Sequence, residues 1–464
     1  MSETASVSLG LRLSTIVHPA ASPNRSNGWL QSVLEALYTG VCSTDDLLDF
    51  GLDFGGPEGA AFLLNQLHDW NDRGLLSFVF HSNGTIIAAC YGDFMNTPYV
   101  GLGEAFRVSP YAFVQPSSEK IGVVVGTATS CDEVVLNQQI VMRLLDVRLL
   151  TNSWTGRQAV EWFAESHPKL TKESAHGLLS LLVRAGVINA EQLGDGSRGA
   201  ARRMWEFHDL LFHTRSTQGS GRPGPQGATF RFLGLAEPPP ARKLCKWPIY
   251  TSLTRSEPGD LRLPLWDVLH QRRSAPDGLT SAGPVTMDDL GRFLTTLAIL
   301  PDSLSPGIYE TTRRLYPGAG ACYELEFYLL VAECEDTPRG LYYYDALTHS
   351  LHRVSEWELK LQSLKERASE ATGHISSPAG IVLISARFAR LAWKYEGIAY
   401  ALCLKDVGVI FEHMYLMGAA LRLEVCALGS VDAGLFSQIT GNDPLVEPLV
   451  GQFMIVGRRP DSVE

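Results

Sequence analysis

Residues 216–242 read STQGSGRPGPQGATFRFLGLAEPPPAR, and that density of glycine and proline admits no helix or strand of ordinary length. The stretch divides a chain of 464 residues into an N-terminal half of about 215 and a C-terminal unit starting near residue 245. We therefore expect a linker over 216–245, preceded by two domains at 1–100 and 101–215 and followed by one at 246–464.

The N-terminal half carries one plan twice. In NGWLQSVLEALYTG, Leu30, Val33, Leu34 and Leu37 share a helical face. CSTDDLLDFG follows with Ser43 or Thr44 as its cap, and EGAAFLLNQLHDWNDRGLL predicts a third helix closing at Gly74. LSFVFHSNGTIIAACYG then reads as two strands joined at Asn83-Gly84, a hairpin signal. Three helices and a hairpin make a winged helix-turn-helix. Residues 107–190 repeat it, with strands in FRVSPYAFVQP and KIGVVVGTA and helices over 133–146, 155–166 and 171–185.

Charge argues against nucleic acid as the partner of these domains. Residues 1–100 hold three Arg and no Lys against ten Asp and Glu, residues 101–215 balance at twelve and twelve, and the whole chain is at −11. A DNA reader needs a basic footprint to neutralise phosphates. No nucleic acid and no anionic membrane surface is expected. The sheet edge of a wing can instead accept an extended peptide strand. The most apolar run, 397–421, is interrupted by Lys405, Asp406, Glu412 and His413, which makes it a core helix rather than a membrane span. Eight cysteines without a CxxC pair predict buried thiols and no metal site. With no secretory signal legible at the N-terminus, a cytoplasmic location is expected.

The C-terminal unit reads as α+β. LPLWDVLHQRRS and TMDDLGRFLTTLAIL predict helices, the second with Asp288 or Asp289 in its first turn. LEFYLLVAEC, a hairpin around DALTHS and the buried run AGIVLISAR predict strands. A long helix over 395–422 and a final strand PLVGQFMIVG complete the unit.

Five short features in this unit carry chemical potential. Arg272, Arg273 and Ser274 at a helix end can hold a phosphate, or simply form a solvated cap. Pro317, Gly318, Ala319 and Gly320 precede a strand, where small residues let backbone N–H groups approach a planar ligand, or merely make a tight turn. Lys394 and Tyr395 are adjacent at the mouth of the long helix, either an acid/base pair or a snorkelling lysine beside a packed ring. Leu428, Gly429 and Ser430 form a small-residue turn after it, and Arg458 ends the last strand.

The order of these features resembles the flavin-dependent nitroreductase-like superfamily, and more narrowly its SagB-type, cyanobactin-oxidase-like azoline dehydrogenases. WEFHDLLFHTRSTQG, before the linker, also resembles the stretch preceding the flavin domain in that branch. The resemblance implies a mixed sheet with a long core helix, an FMN cofactor and a homodimer. It implies that Arg272, Arg273, Ser274 and Arg458 hold the FMN phosphate and ribityl chain. Pro317, Gly318, Ala319 and Gly320 would lie against the ring, Leu428, Gly429 and Ser430 on its other side, and Lys394 and Tyr395 would be catalytic. Three positions depart from the pattern: Pro276 in place of an Arg, Gly318 in place of a Ser, and Glu412-His413 in place of Gln-Asn.

The implied activity is oxidation of peptide thiazolines or oxazolines to thiazoles or oxazoles, with O2 as electron acceptor. The substrate would be an azoline-containing precursor peptide whose leader is held by the winged helices. Either Tyr395 is the base, its pKa lowered by the Lys394 ammonium, or a neutral Lys394 is the base and Tyr395 orients it. Two other readings stay open: an NAD(P)H-dependent nitro or quinone reductase, and a non-catalytic peptide-binding scaffold.

Overall fold

The computed structural model of the chain describes residues 6–11, 33, 37, 43–72, 76–82, 85–91, 97, 99–116, 122–146, 150–191, 201, 204–217, 226–256, 261, 263–276, 279, 282–373, 375 and 378–459. They fall into two compact units, Met1–Pro225 and Gln226–Glu464.

In the first unit the strands are β1 (Ser6–Leu11), β2 (Leu76–Ser82), β3 (Thr85–Tyr91), β4 (Ala105–Val108), β5 (Ala112–Pro116), β6 (Val123–Thr127), β7 (Glu133–Leu136), β8 (Trp154–Thr155) and β9 (Ile188–Ala190). Six of them make one sheet in the order β1-β2-β3-β7-β6-β5, and β8-β4-β9 make a second. β2 and β3 are the expected hairpin, Ser82 facing Thr85. Their turn, Asn83-Gly84, lies outside the described residues, as does the helix expected over 27–40 apart from the fully buried Val33 and Leu37. β3 also pairs with β7, Cys90 facing Val134, so the sheet runs on across residue 100. Phe80 and Cys90 accordingly share a core with Val134, Phe163 and Leu179.

The helices of this unit follow local signals. α1 (Thr44–Asp72) is two helices broken at Gly56 (φ 58°, ψ −158°), with Pro57 following. Ser43 caps it: Asp46 N–H donates to Ser43 Oγ at 3.1 Å, and Ser43 N–H donates back to Asp46 Oδ2 at 3.0 Å. The helix expected from residue 133 begins later. Residues 133–136 are β7, because the β-branched Val134 and Val135 fill the slot between β3 and β6. Asn137 then caps α2 (Gln138–Leu144), while Thr155 and Thr171 cap α3 (Gly156–Ser166) and α4 (Lys172–Arg184). α5 (Phe207–Ser216) follows.

The second unit contains β10 (Ile249–Ser252), α6 (Leu265–Gln271), α7 (Met287–Leu294), β11 (Leu325–Val331), β12 (Gly340–Asp345), β13 (Ser350–Glu356) and α8 (Leu359–Glu370). It continues with β14 (Gly380–Ala386), α9 (Phe388–Lys394), α10 (Ala399–Ala420), β15 (Leu423–Leu428), α11 (Ala433–Thr440) and β16 (Leu449–Arg458). The sheet order is β10-β13-β12-β11-β14-β16-β15, with the last strand inserted between two earlier ones.

All its pairings are antiparallel, which corrects the mixed sheet expected from the sequence. β11 to β13 is a hairpin meander, and α8 returns the chain to the far side of β11 in the opposite direction. Side chains alternate between two buried faces. Phe327, Leu329 and Val331 join the core under α10, and Tyr328 and Leu330 join the one under α8 and α11. Each such fully buried side chain contributes about 1.5–3 kcal/mol. The long helix is α10, shorter than the expected 395–422 and preceded by the separate α9. Among the described residues no helix is long and apolar enough to cross a membrane.

Candidate functional site

Lys394 is the last residue of α9, and Tyr395 leaves helical geometry at φ −123°, ψ 145°. The pair therefore occupies the break before α10, not the first turn of the long helix where the sequence places it. Tyr395 N–H still donates to Leu391 O at 2.8 Å, which fixes where the helix ends. Because the chain turns extended here, both side chains reach the same spot. Lys394 Nζ donates to Gly320 O at 2.8 Å. A Cβ built on Gly320 would meet Tyr395 Oη at 2.2 Å and Lys394 Nζ at 2.7 Å.

The structure thus joins Lys394 and Tyr395 to the turn Pro317–Ala321. That turn is held in left-handed geometry at Gly320 (φ 54°) and Ala321 (φ 57°), and Tyr323 just after it has φ 46°, conformations that L side chains adopt rarely. Gly320→Ala is predicted to displace both side chains and to lower turnover at least tenfold, with about 1–2 kcal/mol of backbone strain. Turnover and the thermal midpoint of that variant, measured together, check this.

Beneath the turn lies a pair of buried carboxyls. Asp406, on α10, accepts from Ala319 N–H at 2.8 Å through Oδ2. Glu324 is fully buried, and burial followed by the Asp406 charge pushes it up to about 8. Tyr395 is also raised, by burial first and then by Cys322, Asp406 and Glu324. Its phenol stays protonated through the neutral range.

Residues 226–241, expected as linker, are a folded strap over α9. Gly227 bridges to Tyr395, Thr229 N–H donates to Lys394 O at 3.2 Å, and Glu396 N–H donates to Gln226 O at 2.9 Å. Trp393 Nε1 donates to Ala236 O at 3.1 Å. Arg390 is 1% exposed and donates to the carbonyls of Cys322 (2.6 Å), Pro239 (2.6 Å) and Glu310 (2.9 Å). One guanidinium thus ties together the turn, the strap and the loop before the turn.

Of the expected phosphate residues, Arg272 and Ser274 meet α10 elsewhere, at Tyr415. Arg272 lies over the Tyr415 ring, 5.4 Å from its centroid, and Ser274 Oγ is 2.8 Å from Tyr415 Oη. Tyr415 Oη also accepts from Ala427 N–H at 2.9 Å, which links this cluster to the strand running into Leu428. Arg273 pairs with Glu424 at 2.7 Å, and Arg458 pairs with Asp289. Pro276 is exposed, as are Glu412, Gly429 and Ser430. His413 is half-buried, and burial lowers its pKa. Leu428, Ser430 and Gln452 line a cavity of about 460 Å³ that also takes in Arg367 and Asp432.

Asp406 and Tyr415 are nine residues apart, which is roughly 13 Å along α10 and half a turn around it. The turn at Gly320 and the cluster of Arg272 and Ser274 therefore meet opposite flanks of that helix. Glu324, Arg390 and Tyr415 carry no local sequence signal. Asp406 shows in the sequence only as an interruption of an apolar run.

Residues 106–222 match the family described as cyanobactin oxidase ThcOx, and residues 270–458 match the nitroreductase family. The trifolitoxin-processing protein TfxB of Rhizobium leguminosarum bv. trifolii is 28% identical over 149 residues, 32% of this chain. The chain spans only 40% of the length of that relative. The nitroreductase-like protein MJ1384 of Methanocaldococcus jannaschii is 28% identical over 37% of this chain and 79% of its own. A Bacteroides fragilis nitroreductase solved with bound FMN is similar at 14% identity and a TM-score of 0.26, over 44% of this chain and 91% of that one. The second unit of the chain is thus similar to the nitroreductase family, an oxidoreductase family, over residues 270–458, and the segment at 106–222 is similar to the cyanobactin-oxidase type.

Proposed function

We propose that the chain is an FMN-dependent dehydrogenase that converts thiazolines or oxazolines of a ribosomally made peptide to thiazoles or oxazoles. The observation that carries this reading is the convergence of Lys394 Nζ and Tyr395 Oη on Gly320. A nitro or quinone reductase has no evident use for such a pair, and a scaffold has no use for a strained turn held against it. The match to the cyanobactin-oxidase segment supports a peptide substrate.

The donor set suits a flavin phosphate. Among the described residues Arg272 faces an aromatic ring with no carboxylate holding it, while Ser274 offers a hydroxyl beside it. Gly429 leaves open space where a Cβ would otherwise point. Bound FMN would supply the hydride acceptor. The protein's part is the proton: in this reading Lys394, in its neutral amine form, accepts the proton from the ring carbon, and Tyr395 orients it. O2 is the final electron acceptor in this reading.

The separation of the two groups on opposite flanks of α10 supports a homodimer, in which the Arg272 cluster of one chain serves the Gly320 turn of its partner. In the first unit, the reading has winged helices hold the leader. β5 is an edge strand of its sheet among the described residues. Beside it runs a groove of about 560 Å³ lined by Phe113, Leu144, Leu145 and Leu150, room for an added strand. The enzyme would work in the cytoplasm.

Purified protein incubated with a thiazoline peptide in air is expected to remove two hydrogens, read by mass spectrometry, and to be yellow before substrate is added. Steady NAD(P)H oxidation with a nitroarene and an unchanged thiazoline mass would replace this reading with the reductase. Colourless protein that takes up no FMN would leave only the scaffold.

A further inference from the structure

Glu324 and Asp406 have no part in the reaction as just described, yet they lie directly behind the turn it uses. We propose that they are positioning residues: the two carboxyls share one proton, and that proton holds the turn Pro317–Ala321 in the shape that Lys394 and Tyr395 meet. Its consequence for the cofactor rests on the function proposed above; the proton sharing itself does not.

The argument begins with donors and acceptors. Glu324 is fully buried, and neither of its side-chain oxygens meets a donor among the described residues. Asp406, 8% exposed, is the carboxyl that faces it and whose charge raises it. Two ionised carboxylates only accept, so such a pair is repulsive unless one of them is protonated. With the proton on Glu324 the set closes. Glu324 donates to Asp406, and Asp406, still an anion, accepts from Ala319 N–H at 2.8 Å.

The surroundings decide which carboxyl keeps the proton. Arg314 is the cation that favours ionised Glu324, but burial and the Asp406 charge outweigh it. Tyr316, Tyr309 and Cys322 face Glu324 from the loops, and Tyr395 and Cys403 face the pair across from them. Burial raises all five, so none adds a compensating charge near neutrality. Lys394 and Arg390 act on Cys322. Above about pH 8 Glu324 ionises, and a second buried anion pushes Asp406 away from Ala319.

The sign follows from linkage. A carboxyl raised in the folded state binds more protons there than in the unfolded chain. Stability is therefore greatest near the ordinary carboxylate range, falls as pH rises towards about 8 and is flat beyond. Glu324→Gln keeps a donor to Asp406 at every pH and should remove that slope. Asp406→Asn should shrink the slope without removing it, since the second charge is gone but Glu324 stays buried.

The test has two arms, run on the full chain between about pH 6 and pH 9. Without flavin, the wild-type midpoint is expected to fall by about 5 °C relative to Glu324→Gln between about pH 6 and pH 8. With added FMN, followed by flavin fluorescence, wild-type affinity is expected to weaken about tenfold from pH 7 to pH 9, and that of Glu324→Gln less than twofold. Parallel midpoint curves for the two proteins would overturn the shared proton, as would an equal loss of FMN affinity in both. No FMN binding at any pH, with the expected midpoint slope, would uphold the shared proton and overturn the cofactor reading.

Discussion

Lys394→Ala is expected to lower azoline oxidation by about a thousandfold while the protein keeps its FMN, the size of effect that follows loss of a positioned proton acceptor. Tyr395→Phe is expected to cost less, about a hundredfold, because it removes only the hydroxyl that meets Gly320 beside Lys394. Both variants should fold normally. Both side chains are half-buried, and the bonds that fix this segment are backbone bonds to Gln226, Thr229 and Leu391, which neither change touches. The measurement is turnover by mass spectrometry, with flavin absorbance and thermal midpoint as controls. Normal turnover in both would sink the assignment of this pair. A drop with FMN lost would instead point to cofactor binding. The phenol also carries a pH signature: burial raises it, so Tyr395 should not produce an acidic limb in the pH profile of wild type.

Much of the fold was legible because its signals are local. The hairpin of β2 and β3 announced itself by two β-rich runs around Asn83-Gly84. The strands of the second unit announced themselves as apolar runs bounded by turn residues. The break between α9 and α10 was not legible, because LAWKYEGIAYAL holds no proline and keeps a helical pattern. What interrupts the helix is Gly397 at φ 78° together with the bridge from Gly227, a partner far away in the chain. The antiparallel order of the sheet depends likewise on where β16 inserts, which no local pattern encodes.

The strap was misread for a related reason. A segment rich in proline and glycine looks unstructured because it lacks donors and regularity, but proline keeps its carbonyl acceptor. Pro239 and Pro240 use theirs for Arg390 and Arg387. Among the candidate site residues, the Lys-Tyr pair and the turn were readable by motif. Glu324, Arg390 and Tyr415 were not, since each works through partners dozens of residues away.

Arg390→Met is the second large effect, and it should appear in stability rather than chemistry. The side chain is 1% exposed, and its three donors satisfy three backbone carbonyls from three separate segments. Methionine fills much of the volume but leaves those carbonyls without their donors, at a cost of about 3–5 kcal/mol. In a unit of this size that lowers the midpoint by about 10 °C. Urea unfolding followed by tryptophan fluorescence would report it directly, because Trp393 stacks on Tyr309 in the same cluster. Arg390→Lys keeps the charge but cannot reach three carbonyls at once, so it should recover only part of the loss. An unchanged midpoint in Arg390→Met would mean that the strap is held without it. The two classes of variant should therefore separate cleanly. Lys394→Ala loses turnover at constant stability, whereas Arg390→Met loses stability first and loses turnover only as the strap and the turn release the break that presents Lys394 and Tyr395.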